Sequence, residues 1–454
     1  MRLVFHTPHL LAPQRASGDL RTLRLCAELR RRGAALLFVA PAGRHDASLH
    51  ALGLSTCAAA DAGGAEFAAL AREFQPDAVV FVHAVSEHRF GRFYAEQLPA
   101  TVRLFDTVDL NFVREARRRG VAAGAAAGGT TGAAALPSAD RLDTDGLDEW
   151  QSMLRSDATL VVSDFERTLL VERFHLSAQR VARVSNVHEP EARTAPFEAR
   201  RGFAFLGGFQ HAPNVDAVAW MAAEVWPLIR AALPGATWTI AGADAPEAIR
   251  RLHDPGAGVT VAGFVADHRA LLGAARVLLS PLRFGAGVKG KIGEALACGT
   301  PVVTNAIGAE GMDAAGRVLA LAETPAELAR CAAALHEDRA EWGRRSAAGA
   351  ALLERDYSAA ANVTALLDAM ARVATPDART DAHAQRARLL WHVGRAGGGG
   401  ADVEATKTAR AALAEARAVI AEQQRALAAL AAENERVRAS LRRGGRAEAG
   451  HDAV

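Results

Sequence analysis

The sequence has little of what would tie it to a stapled scaffold, a membrane or a nucleic acid. Only four cysteines occur in its 454 residues, Cys26, Cys57, Cys298 and Cys331, and none sits in CxxC spacing. That argues against a disulfide framework or a zinc cluster and points to a reducing cytoplasm. No stretch approaches the roughly 20 consecutive apolar residues of a spanning helix. The chain opens on a strand-like run, Arg2-Leu-Val-Phe5, without an apolar leader, so only peripheral membrane contact is expected. Charge of one sign is missing too: 53 Lys+Arg stand against 51 Asp+Glu, a formal net charge of +2. A nucleic-acid binder usually carries a one-sided basic field, so no nucleic-acid partner is expected and any phosphate chemistry must be local. No His/Cys/Asp cluster has metal-ligand spacing and no Gly-x-Ser-x-Gly elbow appears, so no metal and no cofactor are expected. What is there is globular: 50% hydrophobic and 23% charged residues, in a length that suits about three domains.

Strand-like and helix-like segments alternate through the first half. Leu3–Phe5, Leu36–Ala40, Ala78–Val82, Val102–Phe105 and Ala158–Val162 are short apolar runs. Asp19–Arg32 has helical spacing after the capping candidate Ser17, with Gly33 where a C-cap belongs. A second series follows through Phe203–Leu206, Thr237–Ile240, Val259–Val261, Val277–Leu279 and Pro301–Thr304. The pattern predicts an α/β protein of two tandem, Rossmann-like, doubly wound halves, residues 1–195 and 196–375. A Gly/Ala-rich stretch at about 120–146 reads as a mobile insertion on the first half. Residues 376–400 form a hinge ending in Gly397–Gly400, 401–443 a helical tail, and 444–454 a disordered end. The tail places Leu413, Ile420, Leu427, Asn434 and Leu441 at a positions, and Ala416, Gln423, Leu430 and Val437 at d positions. This register suits a homodimeric coiled coil through 401–443, or equally a single solvated helix.

The densest constellation is Pro281-Leu-Arg-Phe-Gly-Ala-Gly-Val-Lys-Gly-Lys-Ile-Gly-Glu294. A strand feeds a glycine-rich turn that opens a helix near Ile292. Glycines let backbone N–H groups approach a phosphate, and a helix N-terminus adds partial positive charge. Lys289, Lys291 and Arg283 would add full charges, and Glu294 could accept hydrogen bonds from sugar hydroxyls of the same ligand. Gly285-Ala-Gly-Val-Lys-Gly290 also satisfies GxGxxG. A dinucleotide fingerprint, however, belongs in the first βα turn of its domain with an acidic residue ending the next strand, whereas here that strand ends in Thr304-Asn305. Two lysines in the loop suit a terminal diphosphate better.

A second glycine turn, Gly207-Gly-Phe-Gln-His-Ala-Pro-Asn214, ends the first strand of the second half. His211 and Asn214 are either ligand contacts there or ordinary helix-start residues. In the first half, Ser17 and Gly18 could touch a phosphate. His83, Asp106 and Asp109 follow strand ends, where carboxylates and imidazoles suit sugar hydroxyls or proton transfer, or else cap helices.

Phe205-Leu-Gly-Gly-Phe209, His211-Ala-Pro-Asn214, Gly263-Phe-Val-Ala-Asp267, the 281–291 run, Glu294-Ala-Leu-Ala-Cys-Gly-Thr-Pro-Val-Val303 and Gly308-Ala-Glu-Gly-Met312 together resemble the nucleotide-sugar domain of glycosyltransferase family four. These are group 1, retaining enzymes of the GT-B fold. The resemblance extends weakly through Ser17-Gly-Asp-Leu20, Phe105-Asp-Thr-Val-Asp109 and Ser163-Asp-Phe-Glu166, covering about residues 1–370. It implies a donor cleft between the halves, with Glu294 on the nucleotide ribose, Lys289, Lys291 and Arg283 on the diphosphate, Gly208 and Gly287 allowing close backbone approach, and the sugar gripped mostly by backbone amides around Gly285 to Val288. His83, Asp106 and Asp109 would face the donor sugar and a glycan, lipid-linked or protein acceptor. The reaction would be metal-independent and cytoplasmic, at the inner membrane face for a lipid-linked acceptor. Two departures stand out: the family's sugar-proximal glutamate is Ala286 here, and its Arg and Lys-Gly after the first strand of the second half are absent. An epimerase on the same fold and a catalytically silent nucleotide-sugar-binding scaffold are the competing readings.

Overall fold

The apolar runs of the sequence become strands in two parallel sheets. The computed structural model describes residues 1–13, 16–41, 52–125, 136–137, 142–313 and 315–375, all inside one unit, Met1–Ala384. The expected hinge at 376–400, coiled coil at 401–443 and end at 444–454 lie outside the described residues.

The first half runs β1 (Arg2–His6), α1 (Ser17–Arg31), β2 (Ala35–Ala40), β3 (Ser55–Ala58), α2 (Ala65–Phe74), β4 (Ala78–Val82), α3 (His83–Gln97), β5 (Val102–Asp106), α4 (Asn111–Ala125), α5 (Thr144–Arg155), β6 (Ala158–Val161), α6 (Asp164–Glu172) and β7 (Val181–Arg183). The strands lie in the order β3-β2-β1-β4-β5-β6-β7. The second half runs β8 (Arg201–Leu206), α7 (Ala212–Trp220), α8 (Trp226–Ala232), β9 (Trp238–Ala241), α9 (Glu247–Arg250), β10 (Val259–Gly263), α10 (His268–Ala274), β11 (Ala275–Leu279), α11 (Gly290–Ala297), β12 (Val302–Thr304), α12 (Ala306–Ala309) and β13 (Ala320–Leu321). Its order is β10-β9-β8-β11-β12-β13. Three helices close the described chain: α13 (Pro325–Glu337), α14 (Arg339–Asp356) and α15 (Ala359–Val373).

Both sheets are parallel and covered by helices, which is why β4 is buried at every residue and its sequence is continuous hydrophobe. In each sheet the winding reverses beside the first strand, between β1 and β4 and between β8 and β11. Ligands of open α/β sheets bind beyond the carboxyl ends of the strands at such reversals. Ser17, His83, Gly208 and the glycine-rich turn follow the carboxyl ends of β1, β4, β8 and β11.

Three details differ from the sequence reading. The edge strands β3, β7 and β13 are too short, at four, three and two residues, to leave an apolar pattern. Gly120–Ala125 complete α4 and Thr144–Gly146 begin α5, so helices occupy both ends of the expected insertion, whose residues 126–135 and 138–141 are outside the described set. The second half also does not keep everything up to residue 375. Helix α15 returns to the first sheet, where Val363, Leu366, Ala369 and Val373 join Leu25, Leu104 and Leu160 in one core. The Asn362 side chain ties the return, accepting from Ser185 N–H at 2.5 Å. An apolar helical stripe buries itself wherever a sheet face is open, and nothing in its own sequence names the sheet. Among the described residues no helix is long and apolar enough to cross a membrane.

Leu366 is fully buried in that core. Leu366→Ala is therefore expected to lower the unfolding free energy by about 2–5 kcal/mol, measured by urea denaturation. A loss below about 1 kcal/mol would show that α15 is not part of the first half's core.

Candidate anion site in the cleft

The glycine turn after β11 is built with its carbonyls engaged and its amides open. Leu282 and Phe284 pack inward at 2% and 5% exposure and anchor the turn's entry. The Gly285 carbonyl accepts from Arg117 Nη1 at 2.7 Å, the Gly287 carbonyl from Lys289 Nζ, and the Val288 carbonyl from Asn186 Nδ2 at 3.0 Å. Residues 285–289 are all buried. Yet among the described residues no acceptor takes a backbone N–H from Gly285 through Lys289. Buried segments with several successive N–H groups unbonded are rare, and such groups can form an anion-binding concavity. The N-terminus of α11 follows at Gly290, adding the positive end of its dipole. Gly287 is required on two counts: its φ is +67°, and a Cβ there would lie 2.8 Å from Asp109 Cβ.

Two lysines flank this turn. Lys289 is 9% exposed, and burial lowers its pKa, partly countered by Glu310. The Lys291 ammonium donates to Asn214 Oδ1 and lies 4.2 Å from the centre of the Phe205 ring. Burial, then the charge of Lys289, pushes its pKa down to about 7. Asn214 Nδ2 in turn donates to the Gly208 carbonyl at 2.7 Å. The two glycine turns of the second half are thus joined through Asn214 and Lys291. His211 is the N-cap residue of α7; burial lowers its pKa, with Arg114 adding to the effect.

The first half faces this site with His83, Asp109 and Arg114. His83 has φ +64° and Val108 φ +61°, conformations that non-glycine residues adopt only when their surroundings hold them. Two buried acids do so at the Val108 loop. Glu166 accepts the N–H of Leu110 and of Val162 at 3.3 and 3.1 Å, and Glu149 those of Asn111 and Phe112 at 3.3 Å each. Burial, then the charge of Asp109, raises both to about 8. Asp109 itself is paired with Arg114, which also donates to Asn111. Burial lowers the pKa of His83, against the nearby Asp109 and Asp106.

Several expected site residues are placed otherwise. Asp106 is 2% exposed and bonded to Arg21 at 2.6 Å, while Arg21 also holds the Ser185 and Val184 carbonyls. It is a structural counter-ion beneath the cleft rather than a group facing ligand. Glu294 is 4% exposed and receives Arg24 at 2.5 Å, His188 at 2.7 Å, Arg269 at 3.3 Å and His268 at 3.4 Å. Burial alone would raise its pKa, but hydrogen bonds from His188, His268 and Arg24 outweigh it and hold the carboxyl far below the usual range. Its oxygens clasp the halves together instead of standing open for a ribose. Arg283 is bonded to Asp216 through Nε at 2.9 Å and through Nη2. Ser17 is the first residue of α1, with Ala16 as the cap. It abuts α11, since a Cβ on Gly290 would lie 2.5 Å from Ser17 Cβ; Gly18 packs on Val108 in the same way. The sequence reading missed Arg114, Arg117 and Glu310. Arg114 and Arg117 share one face of α4 by their spacing, but in the run Arg114-Glu-Ala-Arg-Arg-Arg119 they read as a solvated helix surface.

Residues 200–338 match the model of the family described as glycosyl transferases group 1. No curated protein matches the chain. Solved structures match at the level of fold. A glycosyltransferase from Rickettsia africae is 12% identical, covering 83% of this chain and 99% of its own with a TM-score of 0.60. Anabaena HepE in complex with UDP is 14% identical, covering 82% of this chain and 100% of its own at 0.61. Sucrose-phosphate synthase from Thermosynechococcus elongatus is 14% identical, covering 82% and 99% at 0.60. The two-sheet architecture is the GT-B fold of these glycosyltransferases.

A partly buried ammonium beside a second cation lowers stability. Unfolded, Lys291 titrates near its ordinary value of about 10.4. Folded, it titrates at about 7, so below that pH the folded protein holds a charge that water would hold better. As pH rises the folded form sheds this proton first, and the cost fades. Lys291→Met is therefore expected to raise the melting temperature at about pH 6, with the gain shrinking toward about pH 9. A gain equal at both pH values, or none, would contradict the enclosure of this charge.

Proposed function

We propose that this chain, whose residues 200–338 match the group 1 glycosyl transferase family, moves a sugar from a nucleotide-sugar donor to a glycan, lipid-linked or protein acceptor. The observation that carries this reading is the buried segment Gly285–Lys289, whose backbone N–H groups have no acceptor among the described residues, flanked by Lys289 and Lys291. A diphosphate fits it: an anion of two or three charges with oxygens on several sides. Anabaena HepE binds UDP, which makes uridine diphosphate the first nucleotide to try here.

The chemistry follows from that placement. Breaking the bond between the sugar's anomeric carbon and the diphosphate oxygen leaves an oxocarbenium-like centre and places negative charge on the leaving group. Preorganised donors and cations lower the barrier because they meet charge that develops in the transition state. The amides of 285–289, Lys289 and Lys291 do this in our reading, in the role a divalent metal would otherwise fill. The acceptor hydroxyl attacks the anomeric carbon, and its proton passes to the leaving phosphate or to the His83 and Asp109 side of the cleft. We propose that transfer retains the anomeric configuration, with the leaving phosphate guiding the acceptor to the face it departs from. The compartment that fits is the cytoplasm, at the inner membrane face for a lipid-linked acceptor.

The test begins with a thermal-shift panel of nucleotide-sugars, in which a donor at about 100 times its Kd stabilises the protein by about 2.7 kcal/mol. Transfer is then assayed with that donor. Lys289→Ala and Lys291→Ala are each expected to reduce kcat about 10²–10³-fold. Activity within about 3-fold of wild type in both variants would overturn the site. A product still linked to nucleotide would make the protein an epimerase, and binding without any turnover would make it a scaffold.

A further inference from the structure

We infer that Arg114 is the third cation of the diphosphate site, contributed by the first half in the place the sequence assigns to Arg283. The inference rests on the nucleotide-sugar reading above and names a residue that completes its site. Four further arginines lie close enough to be weighed against it. Arg21 is 1% exposed at its side chain and locked to Asp106. Arg24 is committed to Glu294. Arg117, 3% exposed, spans from Glu310 to the Gly285 carbonyl and shapes the turn. Arg283 is as accessible as Arg114, at 29% against 26%, so exposure does not decide between these two.

Their surroundings do. Arg283 sits among carboxylates, bonded to Asp216 with Glu224 nearby, and a phosphate approaching it meets two negative charges. Arg114 stands where Asp109 abuts Gly287 within the amide run. Its charge is felt on both sides of the cleft, at His83 and at His211. The acids beneath its loop, Glu149 and Glu166, have their pKa raised by burial and spend their oxygens on backbone N–H groups of Leu110, Val162, Asn111 and Phe112. Asp109 is left as its direct carboxylate partner.

The Arg114–Asp109 pair keeps side-chain exposures of 26% and 20%, so part of the guanidinium stays open to an anion in the cleft. A diphosphate on the amides of 285–289 can take the guanidinium fork in two parallel hydrogen bonds, the geometry arginine offers phosphate. Asn111, the other partner of Arg114, starts α4 and keeps the side chain near this position. Because Arg114 belongs to the first half, a bound diphosphate then touches both halves at once.

The experiment is calorimetric titration of the full-length chain with UMP and with UDP, for wild type, Arg114→Gln, Arg114→Lys and Arg283→Gln. Arg114→Gln is expected to weaken UDP about 10-fold or more while changing UMP less than about 2-fold, since only the second phosphate reaches the arginine. Arg114→Lys, keeping the charge and losing the fork, falls between it and wild type. Arg283→Gln is expected to stay within about 3-fold of wild type for both ligands. UDP affinity unchanged in Arg114→Gln, UMP and UDP weakened alike, or Arg283→Gln showing the larger loss would each overturn the assignment. Wild type binding neither these nucleotides nor GDP, ADP or CDP would instead overturn the nucleotide-sugar reading beneath it.

Discussion

The structure turns on a backbone that has used its acceptors and kept its donors. Between Gly285 and Val288 three carbonyls are bonded to Arg117, Lys289 and Asn186, two of these from the first half. Each such bond fixes a peptide plane, so the N–H groups of Ala286, Val288 and Lys289 on the same planes are aimed as well. On the proposed reading these dipoles are already oriented for an anion and need not reorganise when charge appears. That condition separates transition-state stabilisation from mere attraction. Gly287 makes it sterically feasible, since its backbone closes on Asp109 where any Cβ would collide.

Charge pairs across the cleft keep the two halves in this relation. Glu294 on α11 gathers Arg24 of α1 and His188 of the connecting segment, and Glu310 gathers Arg117 of α4. Buried ion pairs recover their desolvation cost only with close geometry and extra hydrogen bonds, and both clusters have these. Gly293, against the His188 ring, and Gly290, against Ser17, let α11 lie directly on the first half. Helix α15 completes the coupling by burying its apolar stripe in the first sheet's core. The halves therefore share one cleft and one set of constraints.

How much of this was legible in the sequence depends on the range of the interaction. Central strands were legible because parallel strands buried on both faces are continuous apolar runs, as in Ala78–Val82. The glycine turn with Lys289 and Lys291 was legible because its residues are neighbours in the chain. The partner of a charged residue was not. Asp106 and Glu294 look like ligand groups at strand and helix ends, but arginines about 85 and 270 positions away claim them. Arg283 looks free beside the turn until α7 brings Asp216 to it. Arg114 and Arg117 lie in a basic run that only the packing of α4 turns toward the cleft. The edge strands and the return of α15 were hidden for a related reason: short strands and amphipathic stripes state that something will be buried, without stating against what.

On the proposed reading the amides of 285–289 receive the diphosphate. The most direct measurement is an amide spectrum of glycine-labelled protein titrated with UDP, following Gly285, Gly287 and Gly290. Hydrogen bonding to phosphate is predicted to move the Gly285 and Gly287 amide protons strongly downfield in a saturable manner, with Gly290 responding at the helix start. Glycines far from the cleft, such as Gly235 and Gly273, should stay in place. UDP binding that leaves the Gly285 and Gly287 signals unmoved would contradict the account.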